Sequence, residues 1–114
     1  MSTYSKNYKK VTDGYNKILD CIKSSEYLEQ LECIPTMIES WLGCVDMYCD
    51  EIFFDRSNRH RKKDADKLAE SSVGMFEELK STLQLTMKTL TPEEYDGVFK
   101  PVRVRGLNEM IDYD

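Results

Sequence analysis

At 114 residues the chain has the size of one ordinary domain, too short for two independent cores. Hydrophobic residues make up 40% and charged residues 32%, which excludes both a disordered chain and a membrane protein. The net charge of −5 argues against unspecific binding to duplex nucleic acid.

The charge falls in blocks. Residues 1–25 carry +3, residues 26–55 carry eight acids and no Lys or Arg, and residues 56–67 return to +4. Residues 68–99 carry −4, and 100–114 balance to zero. Such blocks predict charge-matched neighbours, within the chain or between chains.

In the first segment Tyr4, Tyr8, Val11, Tyr15, Ile18 and Ile22 recur at spacings of three and four. That period predicts an amphipathic helix, with Leu19 reinforcing its apolar stripe. Gly14 should weaken this helix by about 1 kcal/mol relative to alanine. Ser24 and Ser25 are placed to end it or to cap the next. The second seam reads Tyr27, Leu31, Ile34, Ile38, Trp41, Val45, Tyr48 and Ile52, with Pro35 inside it. Proline suits only the first turn of a helix. A short helix near 25–33, a break, and a helix from about 35 to 54 are therefore expected.

The third seam, over about 60–90, reads Ala65, Leu68, Ser72, Met75, Leu79, Leu83, Thr86 and Leu90. Neither Gly nor Pro separates it from the second. The turn-forming side chains of Asp55-Arg56-Ser57-Asn58 and the reversal of charge there predict a hairpin. One rod from 36 to 90, about 80 Å long, is the alternative, and it would require a coiled coil with other chains.

Thr91-Pro92-Glu93-Glu94 has the pattern of a helix N-terminus and predicts a short fourth helix over 92–99. Residues 100–106 alternate like a strand, with Val102, Arg103, Val104 and Arg105 at their centre, but no other segment offers them a partner strand. The stretch reads as an extended arm that lies on the bundle or joins another chain, and Leu107, Met110, Ile111 and Tyr113 are candidates to anchor its end. The expected fold is all-α: an antiparallel bundle of three main helices plus a short fourth over 1–99, with an extended C-terminal arm over 100–114.

The candidate partner-binding residues are the basic block Arg56, Arg59, Arg61, Lys62 and Lys63, together with Val102, Arg103, Val104 and Arg105 in the arm. Five fixed positive charges in eight residues could grip phosphates or balance the preceding acidic stretch, in the same chain or a neighbouring copy. No aromatic residue lies within the block, so base stacking finds no platform there. The seam tyrosines and Trp41 are expected mainly in the core, with part of the first helix available to another chain.

Asp46 and Asp50 share a helix face and, with Glu51 and Asp55, form a candidate cation set. With Glu26, Glu29 and Glu32 this set resembles the acidic elements of the all-α nucleotide pyrophosphohydrolases, helical bundles whose carboxylates coordinate magnesium. Their pattern is Glu-Glu-x-x-Glu followed by Glu-x-x-Asp. Here the first element lacks the Glu-Glu pair, and Glu51 and Asp55 stand four apart. An acidic solvent-facing surface is the expectation.

Cys21, Cys33, Cys44 and Cys49 form no Cys-x-x-Cys pair, and the single His60 cannot complete a two-cysteine, two-histidine zinc site. They read as free thiols. Cys49 with His60 lacks an orienting partner for nucleophilic catalysis. No cofactor, metal or small-molecule substrate is implied, and the N-terminus leads into no apolar leader, so a cytoplasmic protein is expected, in the host cytosol if viral.

The expected function is non-enzymatic. It is that of a small acidic helical protein acting through protein–protein contacts, as a homo-oligomeric structural or accessory component of the kind phages use. Nucleic-acid binding through residues 56–63, assisted by 103 and 105, is the alternative. Magnesium-dependent nucleotide hydrolysis is the second alternative.

Overall fold

The computed structural model describes residues 2–90. Three helices form an all-α bundle: α1 (Thr3–Lys23), α2 (Ile34–Phe53) and α3 (Arg61–Thr89). The expected fourth helix over 92–99 and the arm over 100–114 lie outside the described residues. No strand occurs among the described residues.

The ends of the helices follow from local chemistry. Ser2 caps α1 by accepting a hydrogen bond from the Ser5 backbone N–H at 3.1 Å. Ser24 and Ser25 close its other end, both hydroxyls donating to the Cys21 carbonyl. The short helix expected near 25–33 shrinks to one turn of 3-10 helix, Leu28–Leu31. The Gln30 side-chain oxygen holds that turn by accepting from the Glu26 and Tyr27 N–H groups. Pro35 sits in the first turn of α2, where its missing N–H leaves no bond unmade.

Asn7 on α1 meets Tyr48 and Glu51 near the end of α2, and Val11 meets Trp41 in its middle, so these two helices run antiparallel. Lys67 lies over the Tyr4 ring, and residues 82–90 line a hollow with Lys23 and Ser25, so α3 runs parallel to α1. The second and third seams are therefore a hairpin, not a rod. Each helix packs against the other two.

The core is the predicted stripe of each helix: Val11, Ile18 and Ile22; Ile34, Ile38, Trp41, Val45 and Ile52; Ala65, Leu68, Leu79 and Leu83. Leu28 and Leu31 cap it from the 3-10 turn. Burial of each large aliphatic side chain contributes about 1.5–3 kcal/mol. The tyrosines depart from expectation. Tyr27 is 62% exposed because its segment leaves the helical path before the seam can carry it inward. Tyr8 is exposed and tilts against Tyr4, with ring centroids 5.9 Å apart.

Tyr15 is half-buried. Burial, then the hydrogen bond to Glu78 and the charge of that carboxylate, push its phenol up to about 12 from the usual 10.0. The folded state thus keeps this proton after the unfolded chain has released it. Stability should fall as pH rises from about 10 to about 12 through this group, and Tyr15→Phe should flatten that decline in urea midpoints.

Three glycines lie within helices among the described residues, and they are not equivalent. A methyl group at Gly43 or Gly74 would meet nothing within 4 Å. Gly43→Ala and Gly74→Ala should each stabilise the bundle by about 0.5–1 kcal/mol through helix propensity, read as a raised urea midpoint with an unchanged slope. Gly14 is different, and its role is taken up in the Discussion.

Candidate partner-binding tip

One end of the bundle gathers the start of α1, the end of α2, the 54–60 loop and the start of α3. Asp55 ties these parts together. Its carboxylate accepts from the Ser57 hydroxyl at 2.6 Å and the Ser57 N–H at 3.1 Å, and from the Thr3 hydroxyl on α1 at 2.9 Å. Those bonds, with Arg61 nearby, hold the carboxyl below its usual range. Asn58 shapes the next turn. Its side-chain oxygen accepts from the His60 N–H, and its amide donates to Asp64 at 2.9 Å. A loop of polar residues is thus ordered by its own side chains.

This framework displays the basic block. Arg56 and Arg59 lie on the loop, and Arg61, Lys62 and Lys63 form the first turn of α3. All five are exposed. Arg59, Arg61, Lys62, Lys63 and Lys67 line an open concavity of about 700 Å³ with His60, and Asp66 and Glu70 lie in the same lining. Among the described residues no carboxylate lies within 4 Å of the block's basic side chains; the ion pairs there are Lys9–Asp13 and Lys80–Glu77. The acidic stretch before the block therefore does not neutralise it by contact.

Both helix ends also carry the wrong charge for their own dipoles. Three cations against one acid, Asp64, stand at the start of α3, while Asp50 and Glu51 sit near the end of α2, which has no basic residue in its last turn. Each such placement is unfavourable by about 0.3–1 kcal/mol.

Next to the block the structure adds what its sequence lacked. Phe53 and Phe54 close α2 with rings edge to face, 5.2 Å apart, and they are 43% and 72% exposed. Phe54 stands two residues before Arg56. The absence of aromatics inside the block was real, but the tip does hold an aromatic platform. The signal was present as a Phe-Phe pair in which only Ile52 continues the seam. Val102, Arg103, Val104 and Arg105 lie outside the described residues.

The two acidic elements are not brought together. Glu26, Glu29 and Glu32 precede α2, whereas Asp46, Asp50 and Glu51 lie in its second half, some 20 Å or more along the axis at 1.5 Å per residue. Among the described residues no three His, Cys, Asp or Glu side chains form a cation-binding group. Burial pushes the Cys49 thiol up, and the carboxylates of Asp46, Asp50 and Asp66 push it further. That is the opposite of activation for nucleophilic attack. No helix among the described residues is long and apolar enough to cross a membrane.

No family model matches this chain, and neither the curated proteins nor the solved structures contain a chain that matches it.

Proposed function

We propose that this chain is a non-enzymatic binding protein that works through protein–protein contacts, self-association first among them, with the α2–α3 tip as its contact surface. One observation carries this reading. Five exposed cations and the exposed Phe54 share a side-chain-ordered tip, and among the described residues none of the five cations forms an ion pair within 4 Å. Exposed aromatic and arginine side chains together are common anatomy of a protein contact. Glu39, Asp46 and Asp50 on the exposed face of α2 supply a complementary surface in a neighbouring copy. A single tip-to-face contact is heterologous and builds rings or filaments, whereas a reciprocal pair of such contacts closes a two-fold dimer.

Light scattering at two protein concentrations and two salt concentrations tests this. Mass should rise with concentration at low salt and fall on adding salt. Phe54→Ala should weaken association by about thirtyfold, the effect of about 2 kcal/mol at a hot spot. Arg59→Glu combined with Lys62→Glu should abolish it at low salt. A monomer mass under every condition overturns the proposal.

A second reading, single-stranded nucleic acid, is supported by the Phe53–Phe54 platform beside the cations. It predicts a salt-dependent shift of a labelled oligonucleotide that is lost on neutralising Arg59, Arg61, Lys62 and Lys63. The net charge of −5 weighs against it.

A further inference from the structure

A second surface, away from the tip, carries a separate inference. Between α1 and α2 runs a groove of about 380 Å³, within the size range of binding sites. Its floor is apolar: the Trp41 indole, Met37 and Tyr48, with Ile18 behind them. The groove is open because Gly14 has no side chain beside the indole. Lys10 and Lys17, both exposed, stand along one side, and the Lys10 amine lies 5.3 Å from the Tyr48 ring centroid. Cys44 is an exposed thiol on the opposite side.

A basic rim over an apolar floor selects an acidic, apolar occupant. The chain's own tip does not fit, since Arg56–Lys63 would meet Lys10 and Lys17 as like charges. One segment of the sequence does fit. Residues 107–114 read Leu-Asn-Glu-Met-Ile-Asp-Tyr-Asp, four apolar side chains interleaved with three carboxylates and no base. This segment lies outside the described residues. We propose that residues 107–114 of the same chain seat in the α1–α2 groove, with Met110 and Ile111 toward Trp41 and the carboxylates toward Lys10 and Lys17.

The tether decides between the chain's own segment and a neighbour's. The described chain stops at Leu90, which lines a hollow with Lys23 and Ser25 at the end of α1. Lys17 and Lys10 lie about 9 and 20 Å back along α1 from Lys23, at 1.5 Å per residue. Sixteen residues, 91–106, join Leu90 to Leu107. Sixteen residues reach at most about 53 Å, so the tether is long enough for the distance required. A short tether that can reach its site gives an effective concentration in the millimolar range, far above a second copy at micromolar protein.

Two measurements on the full-length chain test this. Zero-length carbodiimide coupling of a mixture of isotopically light and heavy protein should join Lys10 or Lys17 to Glu109, Asp112 or Asp114 within single chains. Alkylation of Cys44 should run about fivefold faster in a Met110→Asp, Ile111→Asp double variant, the protection expected for a weak segment at millimolar effective concentration. Cys33, exposed and outside the groove, should react at one rate in both proteins. An unchanged Cys44 rate overturns the proposal. So do links found only between light and heavy chains, which would make a second copy the occupant. Neither readout depends on the tip, so self-association and groove occupancy succeed or fail independently.

Discussion

Asn7→Asp is expected to destabilise the bundle by about 3–5 kcal/mol at neutral pH, the effect of an uncompensated buried charge. Asn7 is 1% exposed, and its amide donates to the Glu51 carboxylate at 2.9 Å and to the Tyr48 carbonyl at 3.1 Å. The substitution exchanges that donor for a second carboxylate, buried against Glu51 and the carbonyl. Protonation would restore a donor, so the folded variant binds this proton more tightly than its unfolded chain does. The deficit should therefore shrink as pH falls below the usual carboxylate range and grow as pH rises through it. Urea unfolding on both sides of that range reads the effect, and the parent protein should not show it. Asn7→Ala should cost about 1–3 kcal/mol with no such added pH dependence. A variant as stable as the parent at neutral pH would remove Asn7 from the α1–α2 contact.

Gly14→Ala is expected to destabilise by about 1–3 kcal/mol, the usual penalty of overpacking, although alanine is the better helix former. A methyl group there would lie 2.7 Å from the Trp41 Cδ1 and 3.2 Å from its Nε1. The ring cannot swing aside freely, because its N–H donates to the Val11 carbonyl at 2.9 Å. Releasing the ring would forfeit that bond, worth about 1 kcal/mol, and the burial of the largest side chain in the core. Trp41→Ala alone should cost about 3–5 kcal/mol. In a double-mutant cycle with Trp41→Phe, the penalty of Gly14→Ala should shrink, giving a coupling of about 0.5–3 kcal/mol. If Gly14→Ala raised the urea midpoint as Gly43→Ala is expected to, the close approach of the indole would carry no weight.

These two positions mark where a reading of the sequence reaches its limit. Gly14 looks like a defect in α1, because propensity concerns one helix and the constraint comes from another. Asn7 falls beside the seam at Tyr8, where a polar residue suggests solvent. It is buried because Tyr48 and Glu51 on α2 close over it. Lys80 hides in a similar way. It directly follows Leu79 on the stripe and is 5% exposed, with its amine 3.9 Å from Glu77 and over the Phe76 ring. A long aliphatic stem can lie along apolar surface, so its charge says little about burial. The tip was half legible. The run of cations is plain in the chain, but the exposure of Phe53 and Phe54 depends on where α2 stops.

The helices themselves and their inward faces are written in the sequence. Val11, Ile18, Ile22, Ile38, Val45, Leu68, Leu79 and Leu83 return at the pitch of one backbone, and that pitch is a property of each segment alone. The partner of each stripe is not local in this sense. Whether α2 and α3 fold back or run on as one rod turns partly on Asp55 accepting a bond from Thr3, 52 residues away. The opening beside Trp41 likewise depends on Gly14 arriving opposite it. Such meetings are set by the relative sliding and rotation of packed helices, and only the assembled bundle decides them.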